Sequence, residues 1–558
     1  CSARKSTKKS TVRQLYTHRE PERCKDKGGE GPRLRKASTY ILRKQGKGKT
    51  TVDNNPMSQT EFIVRPYRSN QLKEYCKRMS KPNEKVVYDD NVADMLRQQG
   101  FSFDETPRSV YRPEKLYASL AGYAPKTIPA PEPSQDYYAG VALARACFAR
   151  PKNTEVLHVL PMTPDTIIRI TSNPTGSPGL TNYGCTKQES QTRALERGLQ
   201  TLSREKQPEP CLAFARTQFN DKTRLIWGYP YSMTAVEGLV AYPLIRQFKG
   251  GSTPMAFAMS SMALGTKMVV SSYHKEWAYS LDMSQFDATI SAALIHKAFS
   301  ILRTWYDLDE VEPVSGVTVK KIFDLIEKYF IHTTIVMPDG NIYIGKDHGV
   351  PSGSYFTQMV DSIVNVIIGG AIANHFSLHV SKKDIFVLGD DLLFWSNRQV
   401  DLDDIADFAN RTFHVKLHGK EKSAIYHYDE AVHYLGRDWF NGLPSLDQDA
   451  IIARMVYPER FRRYSKEYQK RRREVRMLIL SYAATYRAGW QIASCLLDPQ
   501  MRNIHCGCAN LDVNTYCEGT GQDDLDADML SGLTRYRRKY LNDRVRGDIP
   551  LTATQYWL

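Results

Sequence analysis

Apolar positions along the chain bunch most tightly on either side of residue 390. Ile385 to Leu388 and Leu392 to Trp395 are unbroken apolar runs, separated only by Gly389, Asp390 and Asp391. Short runs bounded by turn residues read as buried strands, which predicts a hairpin with two carboxylates at its tip and Gly389 to allow the tight turn. Two more hairpins follow the same pattern. Cys211 to Phe219 and Thr223 to Tyr229 are joined by Asn220-Asp221-Lys222, and a later pair turns at Pro338-Asp339-Gly340. Ala278 to Met283 is a short strand pattern carrying Asp282 near its end. Asp287 then opens a helix with Ile290, Leu294, Ile301, Leu302 and Trp305 on one face. Thr318 to His332 reads as a second helix. The glycine-flanked loop Gly349-Val-Pro-Ser-Gly-Ser-Tyr-Phe-Thr357 opens a long apolar one and is a good seat for a phosphate or sugar.

Elsewhere the periodicity is weaker. Residues 1 to about 60 are rich in Lys, Arg, Ser, Thr and Gly and read as a flexible basic arm. Mixed helical segments run from Glu61 to about Tyr123, and Pro125 to Pro133 is a break that crosses a surface. Thr171 to Gly184 is too rich in Gly, Pro and Ser to be an element; it either lays amides and hydroxyls against a phosphate chain or is plain surface. From Arg460 to Arg476, Arg and Lys recur with Phe461, Tyr464 and Tyr468 between them. That helix is either a solvated face or a contact for a phosphate backbone. The basic tail beyond Tyr536 ends in Gln-Tyr-Trp-Leu, an aromatic terminus better suited to docking into the body than to stacking on a nucleotide.

Charge narrows the class of partner. The net charge is +15, and residues 1 to 53 hold 16 Lys/Arg against 5 Asp/Glu, so most of the surplus lies in the first tenth of the chain. Such a protein favours a polyanion, nucleic acid first and anionic membrane second. No apolar run approaches a transmembrane length and no signal peptide opens the chain, which predicts a soluble intracellular protein without a membrane partner. The chain starts at Cys1 rather than Met, which reads as trimming or processing. Ten scattered cysteines point to a reducing compartment. His505, Cys506, Cys508 and Cys517 are a candidate zinc set, but the spacing lacks a ribbon's second pair and buried thiols are the preferred reading. Two decoys are discarded. Gly48-Lys49-Thr50 has Arg43 where a phosphate loop needs glycine, and Asp524-x-Asp526-x-Asp528 has Met529 and Arg535 at positions a calcium loop gives to Gly and Glu.

The remaining motifs fit one chemistry. Arg216, Lys222 and Arg224 share one hairpin, either as a solvated edge or as a grip on a triphosphate. Adjacent acids at the end of an apolar hairpin repel each other and are costly to desolvate unless a cation offsets them. Phosphoryl transfer between nucleotides uses two divalent ions about 3.5 to 4 Å apart, held by carboxylates from separate strands. Asp282 and Asp390 are the natural pair, and hard oxygen ligands select Mg2+ or Mn2+ over zinc.

In order and spacing, Ser280-Leu-Asp282-Met-Ser-Gln-Phe-Asp287, Gly349 to Asn365 and Leu388-Gly389-Asp390-Asp391 resemble motifs A, B and C of viral RNA-dependent RNA polymerases. With Trp227-Gly-Tyr-Pro230 after the cationic hairpin, the likeness is greatest to polymerases of partitiviruses and picobirnaviruses. It spans about residues 171 to 445. It implies an α+β right-hand fold, with fingers, a palm carrying an antiparallel sheet, and a mostly helical thumb. It also implies metal ligation by Asp282 and Asp390, supported by Asp391, with two Mg2+ ions or Mn2+. Asp287 would sense the ribose 2′-hydroxyl. Asp361 stands where many positive-strand RNA virus polymerases have Asn, and Asn365 is another candidate for the sugar. Ser352, Gly353 and Thr357 would place template and nucleotide. Arg216, Lys222 and Arg224 fall where motif F meets the triphosphate, and the loop with Ser172, Ser177, Pro178 and Gly179 resembles template-contacting motif G. Glu421-Lys422-Ser423 resembles the end of motif D, with Lys422 as the catalytic proton donor and Lys420 as the substitute. Tyr434 to Gly442 resembles motif E, which braces the primer.

The implied layout is an arm (1–60), fingers (61–229), a first palm part (230–290), a fingers insertion with palm helices (291–345), a second palm part (346–445), and thumb plus tail (446–558). The implied partners are template and nascent RNA, ribonucleoside triphosphates and a viral capsid protein, inside a virion or in host cytoplasm. Two alternatives stand beside this reading. A reverse transcriptase shares the palm logic but generally has an aromatic residue near the Asp pair and a different motif B. A non-catalytic RNA-packaging or capsid-associated protein would explain the arm but not the acids.

Overall fold

The computed structural model describes residues 61–457, with short interruptions. The expected basic arm, both decoys, the basic segment Arg460 to Arg476, the His505/Cys506/Cys508/Cys517 set and the C-terminal tail lie outside the described residues. In chain order the strands are β1 (Ile63–Pro66), β2 (Cys211–Thr217), β3 (Thr223–Gly228), β4 (Trp277–Leu281), β5 (Ile335–Val336) and β6 (Asn341–Ile344). They continue as β7 (Ile385–Leu388), β8 (Asp391–Ser396), β9 (Ala424–His427), β10 (Val432–Tyr434), β11 (Arg437–Phe440) and β12 (Leu443–Ser445).

One sheet has the order β7-β8-β4-β9, antiparallel throughout, so β4 is interior. β7 is buried along its length and β8 after its first residue, as continuous apolar runs require. Helix Thr357–His375 packs on this sheet and on helix Gln135–Phe148, and is buried from Met359 through Ala373. It is apolar on all sides because it is enclosed on all sides. Leu388 pairs with Asp391, so the hairpin turn holds two residues instead of the three that the apolar runs predict. Gly389 takes φ 66°, the positive value that a type II′ turn requires at its first central position.

A second sheet, β1-β6-β5-β2-β3, contains the cationic hairpin, with Arg216 opposite Arg224. β5 joins β2 in parallel and returns to β6 through the predicted turn at Pro338 to Gly340. β2 stops at Thr217 and β3 at Gly228, each shorter than its apolar run. The helix expected after Asp287 is split. Phe286–Thr289 forms one turn, Ile290 is extended, and Ser291 caps a new helix, Ala292–Leu302, by accepting the Leu294 N–H at 3.4 Å. β10, β11 and β12 form a small third sheet, with its first turn at Leu435 and Gly436, both at positive φ. No helix of the described residues is long and apolar enough to cross a membrane.

Candidate active site

The register of the four-stranded sheet brings the acids together. Leu281 pairs with Leu392, so the next step along β4 sets Asp282 beside Asp391 at the head of β8. Asp282 is fixed through its backbone: its N–H donates to Ser423 Oγ at 3.1 Å and its carbonyl accepts the His418 N–H at 3.0 Å. Asp390 is the second residue of the hairpin turn. Asp391 keeps an exposed surface, yet the protein packed around the rest of it drives its carboxyl up to about 7, mainly by desolvation and then by repulsion from Asp390 and Asp282. Among the described residues no three such donors close on a single point as a finished metal cage. What the strands deliver is a set of mutually repelling hard-oxygen ligands, which a divalent cation would relieve.

Asp287 and Asp361 form a second carboxyl pair, hydrogen-bonded to each other. Both are raised above the usual carboxylate range, first by desolvation. Asp390 then adds to the effect at Asp287, and Asp287 and Asp390 add to it at Asp361. A buried carboxyl pair in contact shares a proton. Asp361 Oδ1 and Asn365 Oδ1 are buried, and each lacks a hydrogen-bond partner among the described residues. Polar atoms left this way mark a place where a ligand completes the network. The Asn365 amide is committed, since Nδ2 donates to Gly389 O at 3.0 Å and to Asp390 O at 2.9 Å. Ser362, on the same helix, accepts the Gly389 N–H at 3.0 Å. The helix thus holds the hairpin tip from behind.

One of the cations faces the acids from the other sheet. Arg224 lies close enough to draw the carboxyls of Asp287 and Asp391 downward against their other influences. Arg216 and Arg224 stand directly opposite each other in the register of the hairpin. Lys222 is exposed at the turn. The loop before helix Thr357–His375 closes on the end of β3. Trp227 N–H donates to Ser352 Oγ at 3.2 Å, and a Cβ on Gly353 would stand 1.9 Å from Trp227 O, so only glycine fits. Thr357 Oγ1 donates to Pro351 O at 2.7 Å, which ties the loop to the helix start. Beneath the loop lies Glu237, fully buried on helix Tyr231–Phe248. It accepts from Ser354 Oγ at 2.8 Å and Tyr355 N–H at 2.9 Å, and burial pushes its carboxyl up to about 8.

Residues 219–485 match the family model described as viral RNA-dependent RNA polymerase. Over that span the chain is similar to the viral RNA-dependent RNA polymerases. It is 34% identical over 200 residues to the RNA-directed RNA polymerase of Cryptosporidium parvum virus 1, a match covering 33% of this chain and 36% of that one. It is 30% identical over 162 residues to the polymerase of Atkinsonella hypoxylon virus, covering 27% and 24%. The chain thus spans about a third or less of the length of these curated relatives. The crystal structure of a human picobirnavirus RNA-dependent RNA polymerase superposes with a TM-score of 0.62 at 15% identity, over 85% of this chain and 97% of that one. The fold is accordingly the right-hand polymerase fold.

The polymerase motifs outside the acid cluster divide into those at the site and those that support it. Lys422 Nζ donates to His418 Nε2 at 3.1 Å, and that nitrogen lies 3.8 Å from Asp282 Oδ2. Glu421 Oε1 meets His418 Nδ1 at 2.8 Å, which fixes the proton there and leaves Nε2 to accept. Lys420 turns away instead, to Asp401 at 2.5 Å and Asp403 at 3.3 Å. Ser172 and Ser177 are exposed, whereas Pro178 and Gly179 are buried against Tyr229 and Pro230, with Pro178 O accepting the Tyr231 N–H at 2.9 Å. The third sheet docks on the catalytic one through Ser280 Oγ, which donates to His433 O at 2.8 Å. His418 and Glu237 are the residues that sequence reasoning missed. Glu237 left a signal, a lone acid inside the apolar run from Ala235 to Leu244; His418 left none beyond its place four residues before Lys422.

Proposed function

We propose that the chain is the RNA-directed RNA polymerase of a segmented double-stranded RNA virus, adding ribonucleotides to the 3′ end of an RNA strand on an RNA template for transcription and genome replication. The observation that carries this reading is the meeting of Asp282 with Asp390 and Asp391 on adjoining strands, with Arg224 acting on the same cluster. In the reaction the 3′-hydroxyl oxygen bonds to the α-phosphorus and the bond to pyrophosphate breaks. Two divalent cations, Mg2+ or Mn2+, would activate that hydroxyl and stabilise the leaving oxygen, and Asp282, Asp390 and Asp391 are the residues to hold them. Arg216, Lys222 and Arg224 bear the triphosphate charge. Ser352, Gly353 and Thr357 shape the loop that seats nucleotide and template, and Ser172 and Ser177 face the template while Pro178 and Gly179 anchor their loop.

Sugar selection falls to Asp287 and Asp361. With the one proton engaged between them, Asp361 keeps its unpartnered Oδ1 to accept from a ribose hydroxyl. Asn365, with both amide hydrogens engaged, positions the turn and has only its Oδ1 left to accept from the sugar. Lys422 is the proton donor to pyrophosphate, because Lys420 is held in its own ion pairs. The basic arm suits anchorage of RNA or of a capsid shell, in a virion interior or host cytoplasm.

The test is incorporation of labelled ribonucleotides by purified protein on an RNA template with Mg2+ or Mn2+. Asp390→Ala and Asp282→Ala should abolish synthesis while leaving RNA binding intact, and near-normal elongation by either would sink the assignment. Deoxyribonucleotides in the same assay separate this reading from a reverse transcriptase.

A further inference from the structure

A cleft of about 760 Å3 opens between the segment Ser203 to Pro208, which follows helix Gln191–Leu202, and helix Val319–Ile331. Its wall carries Arg204, Lys206, Lys321, Lys328 and His332, with Asp324 as the acid among them. Asp324 is already taken, since Arg303 Nη1 binds it at 2.8 Å. None of the four Lys and Arg side chains forms an ion pair among the described residues, and all four are exposed. The cleft is distinct from the triphosphate grip. It borders the Cys211 end of β2, where Cys211 N–H donates to Thr334 O, while Arg216 sits five residues further along, roughly 17 Å at about 3.3 Å per residue.

Two of the cations stand where local structure disfavours them. Lys321 lies in the first turn of its helix, at the positive end of the dipole, where acids are preferred and this helix has none. Arg204 follows the end of helix Gln191–Leu202 with φ 63°, the left-handed position that helix ends usually give to glycine. Neither charge serves the fold at its position, and both point to an anion outside it. Lys321 and Lys328 are seven residues apart, about 10.5 Å along the helix at 1.5 Å per residue. That places two cations on one helix face, spaced to meet separate phosphates of one strand.

We infer that this cleft binds the phosphate backbone of an RNA strand, at a second site apart from the catalytic channel. The inference rests on the polymerase reading for the identity of its ligand. The recognising chemistry is phosphate oxygens against convergent cations, which a free triphosphate shares, so the experiment carries both.

The full-length protein and its Arg204→Gly/Lys321→Ala/Lys328→Ala variant are titrated with labelled single-stranded RNA between 50 and 200 mM salt. Losing three phosphate contacts should lower the salt slope by about 2, so wild-type affinity falls about 20-fold more than the variant's over that range. Arg204→Gly alone should fold at least as stably as wild type, since glycine suits its backbone, yet bind RNA more weakly. Extension of a short primer–template pair should be unchanged in the triple variant. If it is unchanged while RNA affinity and slope also match wild type, the cleft proposal falls and the polymerase reading stands. If extension fails in wild type, the polymerase reading itself falls. Displacement of cleft-bound RNA by millimolar tripolyphosphate as readily as by unlabelled RNA overturns the assignment in favour of a free nucleotide site.

Discussion

Replacing Glu237 with Gln isolates the electrostatic burden of the carboxyl on which the loop before helix Thr357–His375 rests. In the folded protein this group keeps its proton up to about 8, because it is fully buried and desolvation outweighs the hydrogen bonds from Tyr355 and Ser354. In the unfolded chain it ionises near 4.5. Between those two pH values the folded state holds a proton that the unfolded state has lost, so stability falls as pH rises from about 4.5 to about 8. At about 1.4 kcal/mol for each tenfold difference in proton affinity, the whole loss is of the order of 5 kcal/mol. Gln keeps the shape, still accepts from Tyr355 N–H, and cannot ionise. Denaturant unfolding of both proteins at pH 5 and pH 8.5, at fixed ionic strength, should show the variant gaining several kcal/mol relative to wild type at the higher pH. Parallel stability profiles would refute the claim that Glu237 is buried as the neutral acid.

Lys422→Ala should lower the incorporation rate by about 100-fold, the lower end of the range for general-acid catalysis, with little change in nucleotide KM. Lys420→Ala should leave the rate within about twofold, because an exposed ion pair contributes little; rapid-quench kinetics on both compares them directly. Asn365→Ala leaves the carbonyls of Gly389 and Asp390 without their donor and should cost about 2 kcal/mol of stability, read by chemical denaturation, together with a loss of rate that added metal does not restore.

The hairpins and long helices were legible because their signals are local: apolar runs of strand length, a Pro-Asp-Gly turn, a helix apolar on every side. The two-residue turn was not, since the boundary of β8 depends on Leu388 pairing with Asp391 across the hairpin. The split after Asp287 was missed for the opposite reason. The apolar face continues through the break, and only the choice of Ser291 as a cap, over any solvated role for a serine, reveals it. Site partners were hardest where the question was one of direction. Lys420 and Lys422 lie two residues apart, and the turn sends one to Asp401 and the other to His418. Asn365 reads in the sequence as a whole amide open to a sugar, whereas the docking of its helix on the hairpin tip puts both amide hydrogens to use and leaves only Oδ1 open.

Helix Thr357–His375 touches the Gly349–Thr357 loop at its first residue and the hairpin tip at Asn365. Eight residues separate those points, about 12 Å at 1.5 Å each, and no joint lies between them. The interval from the proposed nucleotide seat to the acid cluster is therefore set by a count of residues, as on a rigid ruler. Substitutions along the rod leave that interval alone. A single inserted residue would lengthen it by about 1.5 Å and swing Asn365 by roughly 100°, parting the two halves of the site while each remained locally intact.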